Sequence, residues 1–143
     1  SPLGAFFDST LDRYSDFFPL AGMAYHFAGG SPLIGGRMPG EASPWTVLLI
    51  LLAIAGSFMV SYTRARAEGL GVQCREGMMQ RAQRMALLMA GTLLAEIPLA
   101  GLLLLRCVLV ILTVTSHGTA VSRMIQTRRR LLERKGGNEG IGF

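Results

Sequence analysis

Three aspartates near the start of the chain are spaced so that their carboxylates could act together. Asp8, Asp12 and Asp16 follow one another at intervals of four residues, and a helix with that spacing carries all three on one face. Carboxylate oxygens arranged in this way are the hard ligands that Mg²⁺ and Mn²⁺ take, especially where a substrate brings phosphates. A simpler explanation is that the acids lie at a water-exposed helix end and favour its N-terminal dipole. The aspartates alone leave both explanations open.

Arginines recur at three later points along the chain. The candidates, with one neighbouring hydroxyl, are Ser61, Arg64, Arg81, Arg84 and Arg123. Guanidinium groups bind phosphate oxygens in bidentate fashion, so acids for a metal and arginines for phosphates together predict a polar cavity. Arg66 is a weaker candidate, because about 200° of helix rotation separates it from Arg64. Arginines that merely flank membrane spans are the ordinary alternative, but this alternative does not account for the aspartates.

Uncharged stretches show which elements must position these side chains. Of the 143 residues, 50% are hydrophobic and only 16% are charged, and the mean hydropathy is +0.41. Soluble domains usually carry about a quarter charged residues, and a bilayer core needs roughly 20 apolar residues of helix. We therefore predict an all-α integral membrane helical bundle with about four transmembrane helices. The spans are expected within residues 3–28, 42–63, 85–95 and 97–122.

The placement of the arginines predicts the orientation of the bundle. Arginines are abundant between spans two and three and after span four, whereas between spans one and two Arg37 is offset by Glu41. Because positive residues favour the cytoplasmic side, we expect a multi-pass protein of the cell (cytoplasmic) membrane with both termini and the site facing the cytoplasm. Arg106, inside the last span, is expected to snorkel outward.

Two further expectations concern charge and domain organisation. The net charge of +5 lies beside apolar stretches, which predicts membrane lipids or a phosphorylated substrate as partners, and not nucleic acid. We expect residues 1–135 to form one membrane-embedded domain and residues 136–143 to form a flexible cytoplasmic tail.

The motif Gly4-xxx-Asp8-xxx-Asp12-Arg13 resembles the second half of the CDP-alcohol phosphotransferase signature, D-x-x-D-G-x-x-A-R-x8-G-x-x-x-D-x-x-x-D. The stretch SYTRARAEGLG at residues 61–71 is also similar to this family, as are residues 77–84 and 119–123. The similarity is greatest to the branch of phosphatidylinositol phosphate synthases. Members of the family have six spans, so the resemblance implies that this chain supplies the last four.

The resemblance implies an enzyme of phospholipid synthesis. Such an enzyme transfers a phosphatidyl group from CDP-diacylglycerol to the hydroxyl of a polyol phosphate, here inositol phosphate, and releases CMP. Asp8 and Asp12 would then be metal ligands, and Asp12 would also be the catalytic base. The phosphate of the acceptor would bind Ser61, Arg64, Arg81, Arg84 and Arg123. Two divalent ions, Mg²⁺ or Mn²⁺, belong to the family's complete site, and the resemblance favours a homodimer.

The sequence departs from the family at its start. Only three residues precede Gly4, so the first aspartates, the glycine and the A-R pair of the signature are absent, and Gln80 stands where related sequences often have Glu. We therefore expect an N-terminally truncated chain that is inactive by itself. Two alternatives stay open. One is the same family with glycerol phosphate, serine or another alcohol as acceptor. The other is a non-catalytic transporter subunit in which Asp8 and Asp12 line an ion path.

Overall fold

A computed structural model describes residues 1–30, 42–72, 81–95 and 97–139, with side chains described as far as residue 135. These residues form four α-helices: α1 (Pro2–Phe27), α2 (Pro44–Gly69), α3 (Arg81–Leu94) and α4 (Gly101–Glu139). The predicted all-α class is confirmed. Helix α4 continues past residue 135, while the mobility and the domain boundary expected there stay predictions. The predictions for Arg37, Glu41 and residues 77–80 lie outside the described residues.

Local sequence determines where the first two helices begin. The Oγ of Ser1 accepts a hydrogen bond from the backbone N–H of Gly4 at 3.1 Å, and Pro2 occupies the first turn of α1. The same arrangement recurs in α2, where Ser43 Oγ accepts from the backbone N–H of Thr46 at 3.4 Å and a proline follows the cap. A serine cap satisfies one of the free backbone donors, and proline lacks the donor that this position would leave unpaired. Both helix starts are therefore encoded locally.

The core lies where α2 packs against α1 and α4, and where α3 packs against α4. Leucines of α4 form its centre, and all four helices contribute side chains. The buried cluster consists of Leu20, Phe27, Ile50, Ala53, Leu88, Leu105, Leu109 and Leu112. Gly56 permits the close approach of α2 to α4, because a Cβ at this position would lie 2.9 Å from the Cβ of Ser116. The close packing of α2 on α4 thus depends on the absence of a side chain at Gly56.

Two of the helices, α2 and α4, are long and apolar enough to cross a membrane. Helix α3 has 14 residues and is therefore about 21 Å long, which is short for a hydrocarbon core of about 30 Å. Helix α1 has 26 residues but carries the aspartate face described above. That α1 and α3 also span the membrane stays a prediction.

Arg106 reaches the start of α2, and its predicted snorkelling towards the membrane surface stays a prediction. Its Nε donates to Thr46 Oγ1 at 3.1 Å and its Nη2 donates to Ser43 Oγ at 3.2 Å. Both hydroxyls belong to the first turn of α2, which lies beside this part of α4. A guanidinium within an apolar helix is stabilised by such hydrogen bonds, so Arg106 fastens the start of α2 to α4.

Candidate functional site

The aspartate face of α1 meets the arginines of α3 in a network centred on Asp16. Asp16 is buried, and its Oδ1 accepts a hydrogen bond from Arg81 Nε at 3.0 Å. Its Oδ2 accepts from Ser57 Oγ at 3.2 Å and lies 3.6 Å from Arg84 Nη2. Arg84 Nη1 also donates to Ser57 Oγ at 3.3 Å. The network thereby joins α1, α2 and α3.

Burial explains why the side chains of Asp16, Arg84 and Ser57 are bonded to one another. The side chain of Arg84 is 12% exposed and that of Asp16 is 9% exposed, and charges removed from water are costly unless they are paired and hydrogen-bonded. The hydroxyl of Ser57 serves both partners, since it donates to the carboxylate and accepts from the guanidinium. Within the described part of the chain, every buried side-chain nitrogen or oxygen has a hydrogen-bond partner. The buried polar atoms of the network are therefore all hydrogen-bonded.

Asp12 and Asp8 lie one and two turns nearer to the start of α1, where the surroundings are more open. Asp12 Oδ1 lies 2.6 Å from Arg81 Nη1, and the Asp12 side chain is 30% exposed. Asp8 is exposed and has no ion-pair partner among the described residues. Arg81 thus bridges Asp12 and Asp16, whereas the carboxylate of Asp8 is available to other ligands.

The donor atoms on this face fit a divalent cation in part. The carboxylate oxygens of Asp8 and Asp12 are of the kind that Mg²⁺ and Mn²⁺ take. However, the described ranges contain no group of three or more His, Cys, Asp or Glu side chains that could hold a metal ion. Asp16 does not extend the set, because its two oxygens already face Arg81, Ser57 and Arg84. A metal here would take its remaining ligands from elsewhere.

The arginines that the sequence singles out make different contacts. Arg81 and Arg84 lie together, facing the acids of α1. Arg64 pairs with Glu68 one turn away, with Nε and Oε1 2.8 Å apart and both side chains about half exposed, as their spacing predicts. Arg123 is buried and donates from Nη1 to a backbone carbonyl of α2 at 2.7 Å. A shared phosphate-binding role for the four stays a prediction.

Ser61 lines a cavity of about 700 Å³ between α1 and α2. The rings of Phe17 and Phe58 in its wall stack on each other, with centroids 6.2 Å apart, and Arg13 and Tyr14 also contribute to its walls. A cavity of this size with largely apolar walls and a few polar groups suits a small amphiphilic molecule. Ser61 therefore lines this cavity, whereas Arg84 contacts Asp16 and Ser57 in the network described above.

Sequence reasoning missed the central position of Asp16 and Ser57. The four-residue spacing places Asp16 on the aspartate face, and this spacing is the available signal for its role. Nothing in the sequence marks Ser57, whose contacts with α1 and α3 depend on how the helices pack.

Comparison with known proteins finds relatives over most of the chain. The chain is 36% identical over 132 residues to the archaetidylinositol phosphate synthase of Methanothermobacter thermautotrophicus, a match that covers 90% of this chain and 56% of that protein. It is 31% identical over 135 residues to the phosphatidylinositol phosphate synthase of Cutibacterium acnes, covering 90% of this chain and 60% of the relative. The resemblance to the CDP-alcohol phosphotransferase family is confirmed. The chain is also 38% identical over 128 residues to an uncharacterized protein of Aquifex aeolicus, a match that covers 90% of this chain and 56% of that protein.

The chain thus spans somewhat more than half the length of the curated relatives it matches. No protein-family model matches it. The similarity to these synthases, together with the two long apolar helices α2 and α4, indicates a membrane protein.

Proposed function

We propose that this CDP-alcohol phosphotransferase homologue is part of an enzyme that transfers a phosphatidyl group from CDP-diacylglycerol to a polyol phosphate. Inositol phosphate is the proposed acceptor, a choice supported by the names of the synthases to which the chain is similar. The observation that carries the proposal is the position of Asp12. Its carboxylate is held 2.6 Å from Arg81, while Asp8, one turn away on the same face, is exposed.

Asp12 is the proposed general base. Its carboxylate would take the proton of the acceptor hydroxyl, whose oxygen would then attack the β-phosphorus of the CDP-lipid. A new P–O bond would form and the bond to CMP would break, so that CMP would leave with the bonding electrons. Arg81 would orient the Asp12 carboxylate through their ion pair. A base positioned in this way contributes about 10²–10⁴-fold to the rate.

The proposal includes a divalent cation, Mg²⁺ or Mn²⁺, held by Asp8 and Asp12. Bound there, it would stabilise negative charge on the diphosphate and on the departing CMP. Two carboxylates supply part of a coordination sphere, and phosphate oxygens of the substrate are of the right kind to supply more. The complete site of two ions expected from the family would need ligands beyond these aspartates.

The arginines differ in how readily they could bind the phosphate of the acceptor. The ion pair of Arg64 with Glu68 is exposed, and an exposed pair contributes little free energy, so Arg64 can exchange Glu68 for a phosphate. Arg81 is 40% exposed and can reach a substrate beside Asp12. Arg84 and Arg123 are more buried, so a phosphate must enter the bundle to contact them. A phosphate that contacts Ser61 must enter the cavity that this residue lines.

We further propose that all four helices cross the membrane, with both ends of the chain in the cytoplasm.

The test uses the whole protein, expressed from its natural gene, in vesicles that contain CDP-diacylglycerol. CMP release is measured with inositol phosphate and, in parallel, with glycerol phosphate, serine and unphosphorylated inositol. We expect release with inositol phosphate and dependence on Mg²⁺ or Mn²⁺. Release with another acceptor alone would assign the same chemistry to a different substrate. If no acceptor released CMP, the transferase proposal would be wrong and an ion-path role would be favoured.

The variant Asp12→Asn tests the proposed base. We expect CMP release to fall by about 10²–10⁴-fold, because the amide cannot take a proton from the acceptor. Glu133→Gln is the matched control: it also removes one negative charge, but from an exposed pair with Arg129 in the last turns of α4, and it should keep the wild-type rate. A wild-type rate in Asp12→Asn would remove Asp12 from this role.

A further inference from the structure

A second cavity lies on the side of α2 that faces α4. It has a volume of about 440 Å³, and among the residues that line it are Met59, Tyr62, Arg66, Met124, Arg128 and Leu132. These residues come from α2 and α4, the two helices that are long and apolar enough to cross a membrane. None of the residues proposed above for catalysis, metal binding or acceptor binding lines this cavity.

Two arginines give the cavity a positive charge that no lining acid offsets. Arg66 and Arg128 are both exposed, and in the part of the chain that the structure describes neither lies within ion-pair distance of a carboxylate. Helical geometry accounts for the difference between Arg66 and Arg64, because about 200° of rotation separates them. Arg64 therefore pairs with Glu68, whereas Arg66 lines the cavity beside α4. The charge of the cavity favours an anionic occupant.

The remaining walls favour an occupant that also carries hydrocarbon. Met59, Met124 and Leu132 are exposed apolar side chains on the cavity wall, and methionine adapts readily to flexible apolar partners. Guanidinium groups are well suited to phosphate oxygens. The cavity also lies at the arginine-rich ends of both candidate membrane spans, where the polar part of a bilayer begins. A phospholipid, which carries both a phosphate and acyl chains, matches the charge, the apolar walls and the position of the cavity.

We propose that this cavity binds an anionic phospholipid of the surrounding bilayer. Its phosphate contacts Arg66 and Arg128, and its acyl chain runs along Met59, Met124 and Leu132. The cavity shares Tyr62 with the Ser61 cavity, but its other lining residues differ and none of them is proposed for catalysis or metal binding. This lipid is therefore held as a bound cofactor of the membrane domain and not as the substrate of phosphatidyl transfer. The proposal is independent of the transferase function and does not need an active enzyme for its test.

The experiment places a fluorescent reporter on the cavity wall of the whole protein. Leu132→Trp is introduced into a background in which Trp45 and any other tryptophan of the whole protein are replaced by phenylalanine, and the protein is reconstituted in phosphatidylcholine vesicles. Phosphatidylglycerol with brominated acyl chains is added in steps, and quenching of the tryptophan gives an apparent affinity. We expect Arg66→Gln and Arg128→Gln to weaken this affinity about fivefold each, and the double variant to weaken it roughly 30-fold at low salt.

Arg129→Gln is the matched control. It removes the same charge from the neighbouring position of α4, but its side chain is 83% exposed and pairs with Glu133, outside the cavity. We expect it to weaken the affinity less than Arg128→Gln does. Brominated phosphatidylcholine should quench the double variant as it quenches the parent, which shows that the fold is retained.

Three results would overturn the proposal. Equal losses from Arg129→Gln and Arg128→Gln would mean general attraction of lipid to a basic surface. Equal quenching by phosphatidylcholine and phosphatidylglycerol in the parent protein would mean that the cavity does not select an anion. A reporter shielded from both lipids but sensitive to dilution of the protein would assign the cavity to a second copy of the chain.

Discussion

Replacing Asp16 with asparagine tests whether the network between α1 and α3 holds the helices together. Asparagine keeps the shape of the side chain but removes the charge that faces Arg81 and Arg84. Its amide oxygen can still accept one hydrogen bond. Its amide nitrogen, however, is a donor and would face other donors. The buried guanidinium of Arg84 would then lack a negative partner.

The magnitude follows from the exposure of the two arginines. Removing one partner of a buried ion pair costs about 3–5 kcal/mol, and Arg84 is the buried one, with 12% of its side chain exposed. Arg81 is 40% exposed, so its contribution is at most about 1 kcal/mol. Because Arg84 also donates to Ser57 at 3.3 Å, we expect the lower end, about 3 kcal/mol. That loss lowers the melting temperature by about 6–12 °C in a protein of roughly 150–250 residues.

The assay is thermal unfolding of the purified protein in detergent, followed by near-ultraviolet circular dichroism. Asp8→Asn is the matched control, because it makes the same chemical change on the same helix at an exposed position without an ion pair, and it should leave the melting temperature unchanged. The double variant Asp16→Asn/Arg84→Gln should lose less stability than the two single losses added together. Equal melting temperatures for Asp8→Asn and Asp16→Asn would refute the reasoning.

Three further predictions follow from the same structure. Gly56→Ala should destabilise the protein by about 1–3 kcal/mol, because the new Cβ would meet Ser116 Cβ at 2.9 Å. Gly22→Ala, which meets nothing within 4 Å, should be neutral or stabilising by up to about 1 kcal/mol, and the reverse order in thermal unfolding would contradict the packing of α2 on α4. Arg64→Ala should raise the KM for inositol phosphate roughly tenfold or more with little change in kcat, and an unchanged KM would remove it from the acceptor site. Arg134→Ala should lower the free energy of unfolding by less than about 1 kcal/mol. Arg134 Nη2 donates to the backbone carbonyl of Gly71, just after the end of α2, at 2.8 Å. Amide hydrogen exchange should therefore accelerate at the end of α2 and not at its start.

Much of the fold follows from local sequence. Uncharged stretches predict the course of α2 and α4, because apolar length acts within one helix. The serine caps that the structure shows at the beginnings of α1 and α2 are local features of the same kind. The four-residue spacing of the aspartates likewise places them on one face without any knowledge of neighbouring helices. The ion pair of Arg64 with Glu68 also has a local origin, because residues four apart on a helix are neighbours. The family resemblance also rests on local motifs, and the relatives confirm it.

Tertiary structure decides which of these local faces meet. Asp16 becomes the centre of the network because α3 places Arg81 and Arg84 beside it and α2 adds Ser57. Arg106 donates to two hydroxyls at the start of α2, because the first turn of α2 lies beside it. Such contacts depend on the relative rotation and register of packed helices, which are set by side-chain volumes across the whole interface. The sequence by itself therefore determined the helices, the candidate spans and the aspartate face, whereas packing decided which charges of different helices are paired and which face the cavities.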